Sequence, residues 1–292
     1  GNPEKLSIRH ALPRLFEQEK NYGSLIRGQI FGAKERKRRG EIARSKAKMF
    51  SFDEGLQVLP DALAAHLGDS LKLNSPVQTI AQTETGWRIS TANDEMEFGA
   101  VIYCGTAHRL SELNIESPAQ INFSQFSEIR YAPVASVALG FRREDAAHPL
   151  DGFGMLIPKI ENFKILGSIF SSSLFPNRAP ENFVTLTSYI GGERHPELTL
   201  KSPEELISLA REDLRQLLGV KGEPVFKHVA LYPKAIPQYN VGYGEFKQRM
   251  NEIESKAGGL FFAGHYRDGV SLGDSIVSGC NIVERIETFL NK

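Results

Sequence analysis

Cysteine is scarce in this sequence, since Cys104 and Cys280 are the only two among 292 residues. Two cysteines form no disulfide framework, and their scarcity is typical of a reducing compartment. The chain also lacks any apolar run of about 18 residues, the length that a transmembrane helix needs. Its first residues, Gly1–Lys5, are polar, so no signal peptide is expected, and an opening without methionine suggests a fragment or a processed chain. Together these absences predict a cytoplasmic protein.

Net charge is absent as well, because 35 Lys and Arg residues balance 35 Asp and Glu residues. A balanced chain lacks the electrostatic signature of a nucleic-acid binder, so no nucleic-acid partner is expected. The local exception is a basic run at residues 34–48, with eight Lys or Arg against two Glu. It lacks interleaved apolar anchors, which favours a solvated, mobile loop; contact with anionic lipid is the alternative.

The most informative stretch lies near the end of the chain, at residues 258–279. Leu260–Ala263 has the length and composition of a buried strand, and Gly264 ends it. After a glycine-containing turn, apolar residues recur at a helical period, namely Ile276, Cys280, Val283, Ile286 and Leu290. A strand that leads through glycines into a helix N-terminus presents free N–H groups to an anion or cofactor. An ordinary buried strand–loop–helix is the alternative.

Two other interpretations of this stretch are weak. Gly269–Gly273 matches the G-x-S-x-G pattern of serine hydrolases, but no histidine follows Ser271, as that fold requires. His265 has no second ligand-type residue at a metal-binding spacing. The sequence therefore predicts neither a nucleophile nor a metal site here.

Elsewhere the hydrophobic pattern predicts a mixed α/β chain. Helices are expected within 4–32, from 56 to Gly68, from a Ser202–Glu205 capping box to Gly219, around Leu110 and Leu113, and before Gly258. Strands are expected at 49–52, 95–98, 100–103, 134–141, 153–157, 164–169, 183–190 and 224–232, with 77–80 and 87–90 forming a hairpin.

Four blocks of the sequence, taken together, resemble FAD-dependent protoporphyrinogen oxidases. The blocks are Asn2–Ser7 with Pro13–Glu17 and Gly23–Ile26; Gly55–Leu63 after Phe52; Pro233–Tyr239 followed by Gly242; and Gly264–Ser271. Any one block is a weak signal, but four in the family's order over nearly the whole chain are specific.

The resemblance also reveals a missing part. Members of that family begin with a Rossmann βαβ unit, whose G-x-G-x-x-G turn lets the backbone approach the pyrophosphate. Gly152–Gly154 and Gly242–Gly244 lack the third glycine and do not lie between a strand and a helix. The chain thus resembles roughly the C-terminal three fifths of such an oxidase.

The fold class implied is α/β (α+β). It comprises a partial FAD-binding, Rossmann-like domain without its N-terminal βαβ unit, an inserted mixed or antiparallel-sheet substrate domain, and a partial helical subdomain. The corresponding ranges are 1–48 for the helical subdomain and basic loop, 49–109 with 258–292 for the FAD-binding part, and 110–257 for the substrate domain.

Carried over by position, the resemblance implies seven cofactor-binding residues. Val77 would meet the adenine end through its backbone, and Tyr232 would pack against the flavin. The others lie at the pyrophosphate (Gly264, His265) and at the pyrimidine edge of the isoalloxazine (Val270, Ser271, Leu272). Four further residues are implied to line an apolar slot for a flat macrocycle: Phe153, Gly154, Leu156 and Tyr189. Plain core packing is the alternative for these strand residues.

The reaction implied by the resemblance is a six-electron oxidation of protoporphyrinogen IX in three two-electron steps, within heme biosynthesis. Hydride passes to FAD, and dioxygen reoxidises the flavin. Since this chemistry belongs to the cofactor, no catalytic side chain is predicted. The chain alone is expected to be inactive, and whether it holds FAD by itself is left open.

Three alternatives remain. They are a coproporphyrinogen III oxidase of the same family, another flavin amine oxidase, and a non-enzymatic tetrapyrrole-binding module. Removal of a Rossmann half would expose apolar faces, so a homo-oligomer is expected. The partial helical subdomain also leaves a peripheral membrane contact open.

Overall fold

The computed structural model describes residues 1–38 and 49–291. In chain order, the helices are α1 (Ile8–Ala11), α2 (Pro13–Tyr22), α3 (Leu25–Arg38), α4 (Val58–Leu67), α5 (Ala107–Leu110), α6 (Ser171–Leu174), α7 (Pro203–Leu218), α8 (Gly244–Lys256) and α9 (Leu272–Leu290). The strands are β1 (Thr79–Gln82), β2 (Trp87–Ser90), β3 (Glu95–Phe98), β4 (Val101–Tyr103), β5 (Asn114–Glu116), β6 (Tyr131–Arg142), β7 (Gly154–Leu156), β8 (Ile165–Phe170), β9 (Phe183–Gly191), β10 (Phe226–Pro237) and β11 (Leu260–Phe262).

These elements form two compact units. Unit 1 holds Tyr131–Ile236, Gly1–Asn2 and the described part of Arg44–Gly68; unit 2 holds Asp69–Arg130 and the described parts of Pro3–Ala43 and Pro237–Lys292. The mixed α/β class expected from the sequence is therefore observed. The three-part division drawn from the resemblance remains a prediction.

Unit 1 is built on a five-stranded sheet with strand order β10-β6-β9-β8-β7. Strands β6, β9, β8 and β7 pair antiparallel in that order. Along β9, Leu186 and Ile190 are fully buried while Thr185, Thr187 and Tyr189 are only partly buried. This period of two defines a core face and an open face of the sheet.

Helix α7 covers the core face of this sheet. It begins at the predicted capping box, in which Ser202 accepts the Glu205 amide and Glu205 accepts the Ser202 amide. Its buried Leu206 and Leu214 join the same hydrophobic core as Leu186. The buried Asp213 carboxylate accepts the Lys164 and Ile165 amides at 2.7 and 2.8 Å, so the helix also fixes the start of β8.

Unit 2 contains two small sheets. In one, of order β3-β2-β1-β5, the predicted β1–β2 hairpin is confirmed, and β5 pairs parallel with β1. The other consists of the parallel pair β4 and β11. Fully buried Trp87 of β2 donates its indole N–H to the Gly258 carbonyl at 3.0 Å, which ties the hairpin to the entry of β11.

Two expectations about the chain between α3 and α4 need correction. Met49–Phe52 was expected to be a strand, but it has no strand partner. The Arg178 guanidinium instead holds the Phe52 and Asp53 carbonyls at 2.6 and 2.8 Å. In the basic run, residues 34–38 continue helix α3 rather than starting a loop; residues 39–48 lie outside the described part of the chain.

Helix α9 exists as predicted, but most of its apolar stripe is exposed, while Ile286 packs against the buried cluster of Phe261, Ala263 and Ile282. Ile276 and Val283 are 53% and 50% exposed, and Cys280 is exposed as well. The residues that α9 buries are Ser278 and Ile282, and Ile282 packs with Phe261 of β11. Helix periodicity therefore located the helix correctly, while its exposed apolar face remains available for contact.

Among residues 1–38 and 49–291, no helix combines the length and the apolar character that crossing a bilayer requires.

Candidate functional site

The loop Gly264–Gly269 lies at the carboxyl ends of the parallel strands β4 and β11. Gly264 lies two residues after the end of β11, at φ +113°, a backbone conformation that residues other than glycine rarely adopt. Ala263 donates its amide to the Tyr103 carbonyl at 3.1 Å, so the loop leaves the sheet level with the end of β4. In open α/β sheets this edge is where ligands bind.

Buried hydroxyl groups hold this loop at both ends. The Ser278 hydroxyl accepts the Gly264 amide at 3.2 Å and donates to the Asp268 carboxylate. The Tyr239 hydroxyl donates to the His265 carbonyl at 2.6 Å and accepts the Gly269 amide at 3.1 Å. The Gly264 amide is therefore already bonded within the protein.

The N-terminus of α9 follows the loop and is less open than the sequence suggested. Ser271 is the N-cap, and its hydroxyl accepts the Asp274 amide at 3.0 Å. The Asp274 carboxylate accepts the Ser271 amide at 3.2 Å in return. The expectation of free N–H groups is wrong for these two amides, because a capping box uses them; the amides of Leu272 and Gly273 are not part of it.

Of the residues predicted to contact a cofactor, Val270, Ser271 and Leu272 lie at this helix start, and Gly264 and His265 lie in the loop before it. Val270 and Leu272 are 50% and 52% exposed, so both offer apolar surface. His265 is half-buried, and burial lowers the pKa of its imidazole, which favours the neutral ring. Val77 lies elsewhere in unit 2, two residues before β1, and Tyr232 lies on β10 in unit 1.

Three of the four predicted macrocycle residues lie on the open face of the unit 1 sheet. Leu156 pairs with Gly167, Gly167 with Tyr189, and Tyr189 with Ser136, which makes one row across β7, β8, β9 and β6. Directly paired residues share a face, and Tyr189 faces away from the core. Large and small side chains thus alternate along the row.

Gly154 and Phe153, the other two predicted macrocycle residues, lie at the start of β7. Gly154 is two residues before Leu156 on β7, and Phe153, 55% exposed, immediately precedes that strand. Burial raises the pKa of the Tyr189 phenol, and the nearby Tyr232 adds to this effect. Tyr232 lies on β10, the edge strand next to β6 in the same sheet, so a second phenol lies near the row.

The residues whose hydroxyl groups shape the Gly264–Gly269 loop, Tyr239 and Ser278, were not predicted from the sequence. Tyr239 was recognised only as part of the Pro233–Tyr239 block, and Ser278 was not singled out. Tyr239 bonds Gly269, 30 residues away along the chain, and Ser278 bonds Gly264, 14 residues away. Local sequence patterns do not predict such contacts. The Ser271-x-x-Asp274 pattern, in contrast, is a capping signal readable from the sequence.

Two clefts of about 560 and 330 Å³ lie in unit 2, both beside Arg285. Neither is lined by any of the predicted cofactor or macrocycle residues. The described residues also contain no group of three or more His, Cys, Asp or Glu side chains placed to hold a metal ion.

Comparison with known proteins places these features in context. The family model described as "Flavin containing amine oxidoreductase" matches residues 1–287. The mitochondrial protoporphyrinogen oxidase of Nicotiana tabacum is 35% identical over 99% of this chain and 62% of its own length. A coproporphyrinogen III oxidase of Staphylococcus aureus is 28% identical over 97% of this chain, and again over 62% of its own length.

A solved structure shows the same fold. A candidate protoporphyrinogen oxidase from Exiguobacterium sp. 255-15 superposes with a TM-score of 0.79 at 21% sequence identity, over 99% of this chain and 60% of that one. The chain therefore spans about three fifths of the length of the relatives that it matches.

Proposed function

The chain belongs to the flavin-containing amine oxidoreductase family, and from this membership we propose that it is the C-terminal portion of an FAD-dependent protoporphyrinogen IX oxidase. The observation that carries the proposal is the 35% identity to the tobacco mitochondrial enzyme across 99% of this chain. The chain contributes part of an FAD-binding domain and an inserted substrate domain. By itself it is inactive, because the Rossmann βαβ unit is not in this sequence.

The residues at the start of α9 fit one wall of a flavin site. Val270 and Leu272 expose apolar side chains beside the helix N-terminus, and Gly264 allows a tight turn at the carboxyl end of β11. The Asp274 carboxylate, however, caps this helix and offsets part of its positive dipole. The fit is therefore better for the uncharged ring system than for the pyrophosphate.

FAD, if bound here, would supply the hydride-accepting chemistry. In the proposed protein Val270 and Leu272 orient the ring system and exclude water from it. The row of Leu156, Gly167, Tyr189 and Ser136 provides a surface for a flat macrocycle, and burial raises the pKa of the Tyr189 phenol further above its ordinary value. No side chain of this chain is assigned a proton-transfer role.

Coproporphyrinogen III oxidation is the second candidate, supported by the 28% identity to the Staphylococcus aureus enzyme. The two substrates differ in the number of carboxylates at the macrocycle edge. The lower identity favours protoporphyrinogen, and residues that read the additional carboxylates are proposed to lie in the part of the relatives that this chain does not cover.

The experiment is co-expression of this chain with the part of the tobacco enzyme that it does not cover, followed by purification with FAD. Porphyrin fluorescence would then be followed with protoporphyrinogen IX and with coproporphyrinogen III. The proposal predicts faster oxidation of protoporphyrinogen by the co-expressed pair and none by the chain alone. Faster oxidation of coproporphyrinogen would favour the second candidate, and turnover by the chain alone would contradict the assignment as an inactive portion.

We propose a cytoplasmic location with peripheral membrane contact through α3. Ile26 and Ile30, one helical turn apart, are 71% and 64% exposed, which supports an apolar contact of this helix. Sedimentation with vesicles of anionic and neutral lipid tests this part, and loss of binding in Ile26→Glu is the expected result.

A further inference from the structure

We propose that Tyr239 is a positioning residue for the cofactor, because its hydroxyl holds the Gly264–Gly269 loop in its binding shape before any cofactor arrives. The inference rests on the proposed function for the identity of the ligand, FAD. The hydrogen bonds that define the loop do not depend on that identity.

The Tyr239 hydroxyl makes two hydrogen bonds to the loop. It donates to the His265 carbonyl at 2.6 Å and accepts the Gly269 amide at 3.1 Å. A phenol has one donor and spare acceptor capacity, so both bonds can exist together. Since residues 265 and 269 are the second and the last of the loop, Tyr239 closes the loop across almost its whole length.

Tyr239 is itself fixed by elements outside the loop. Its carbonyl accepts the Ser7 amide at 2.8 Å, and its ring packs against the Tyr243 ring with centroids 4.3 Å apart. The Lys247 ammonium of α8 lies 5.4 Å from its ring centroid. With 4% of its surface exposed, the side chain has little freedom to move. The loop is therefore held against the N-terminal segment and α8.

Of the two loop residues that Tyr239 bonds, Gly269 lies next to the proposed flavin-contacting residues Val270 and Leu272. Gly269 adopts φ +128° and directly precedes Val270 and the Ser271 N-cap. A loop that is ordered in advance does not have to lose conformational freedom on binding, which improves affinity. If the hydroxyl is removed, the Gly269 amide loses this buried acceptor and the exit of the loop loosens.

Tyr243 supplies a matched control in the same aromatic cluster. Its ring is equally buried, and its hydroxyl donates to the Tyr266 carbonyl in the middle of the loop. Tyr239→Phe and Tyr243→Phe each remove one buried hydroxyl and one bond to a loop carbonyl. Only Tyr239→Phe also removes the acceptor of the Gly269 amide.

The test compares the 292-residue wild-type chain with both variants. Amide hydrogen exchange reports the loop, urea unfolding reports global stability, and quenching of flavin fluorescence reports FAD affinity. In Tyr239→Phe we expect Gly269 to exchange about tenfold faster after correction for global stability, and the Kd for FAD to rise about tenfold. In Tyr243→Phe both quantities should stay within about twofold of wild type.

Unchanged Gly269 exchange in Tyr239→Phe would overturn the proposal, and so would an equal increase in both variants, which would indicate general loosening. Faster exchange with an unchanged FAD affinity would show that the loop is held for another reason, and this also overturns it. If the wild-type chain alone does not bind FAD, the Kd values are measured on the co-expressed pair described under the proposed function. If that pair does not bind FAD either, the flavin site of the proposed function fails, while the exchange data on the chain still decide whether Tyr239 holds the loop.

Discussion

The Glu254 carboxylate accepts the backbone N–H of Phe262 at 2.9 Å, at the edge of β11 that faces away from β4. Arg267 bonds to the same carboxylate and donates to the Phe262 carbonyl at 3.1 Å. Side chains thus satisfy the peptide groups that another strand would otherwise pair with. Exposed strand edges invite association, and this one is closed by an ion pair.

Glu254 should therefore be important for stability. Its side chain is 8% exposed and is shared by Arg267, Arg285 and the Phe262 amide. Glu254→Ala removes the carboxylate that neutralises the largely buried Arg267 and leaves the Phe262 amide without this acceptor, so we expect a loss of about 3–5 kcal/mol in urea unfolding. Glu252→Ala, which removes an exposed partner of Arg249 on the same helix, should cost less than about 1 kcal/mol. Similar losses of unfolding free energy in both variants would show that the buried Glu254 network contributes no more to stability than an exposed ion pair does.

Trp87 should report and support the folding of unit 2. It is the single tryptophan of the sequence and is fully buried, so its emission should shift to longer wavelength on unfolding. Trp87→Phe leaves a cavity and removes the donor to the Gly258 carbonyl, which should cost about 2 kcal/mol by circular dichroism. Arg88→Ala, at the neighbouring exposed position, should cost less than about 1 kcal/mol. An equal effect of the two substitutions would speak against the Trp87 contact.

Acidification should destabilise the protein through His265 and His10. Burial lowers the pKa of both imidazoles below 6.5, and for His10 the charges of Lys247 and Arg9 add to the effect. Below pH 6.5 the unfolded chain binds protons that the folded chain resists, so stability present above pH 6.5 is lost as the pH falls through the folded pKa values. The urea concentration at the unfolding midpoint should decrease as the pH is lowered from 7 to 5. This decrease should be smaller in His265→Asn. If the double variant with His10→Asn keeps the full wild-type pH dependence, this explanation is wrong.

The small side chain of Ser136 should leave room for a macrocycle on the open face of the unit 1 sheet. It neighbours Tyr189 in the cross-strand row. Ser136→Leu fills the space beside the phenol, and we expect the Kd for protoporphyrin IX, followed by absorbance, to rise about tenfold. Ser136→Ala removes only the hydroxyl and should bind as wild type does. Unaltered binding in Ser136→Leu would show that the macrocycle does not bind at this row.

The parts of the fold that the sequence predicted are those specified by local pattern. Runs of β-branched and aromatic residues bounded by Gly, Pro and Asn identified β6 and β9, and the Ser202–Glu205 capping box marked the start of α7. Met49–Phe52 has strand-like composition but no neighbouring strand, and a strand needs a partner to exist. The parallel pairing of β5 with β1 joins segments 35 residues apart, as the Thr79–Asn114 hydrogen bond shows, and no local signal marks it.

At the candidate site, too, the sequence predicted only the features that local patterns specify. The glycine turn at Gly264 and the start of α9 were readable, because glycine and capping preferences are local. The hydroxyl groups of Tyr239 and Ser278 that shape the loop arrive from other elements, so only the folded chain reveals them. The assignments of Val77 and Tyr232 to a cofactor derive from the resemblance and stay predictions.

The central claim is that this chain is a portion of a porphyrinogen oxidase that carries one wall of the flavin site. The most direct measurement is oxidation of protoporphyrinogen IX, with FAD added, by the purified chain alone and by the chain co-expressed with the uncovered part of the tobacco relative. The account predicts no porphyrin from the chain alone, and from the pair both porphyrin and a bound-flavin absorbance spectrum. A co-expressed pair that assembles but neither binds flavin nor forms porphyrin would contradict it.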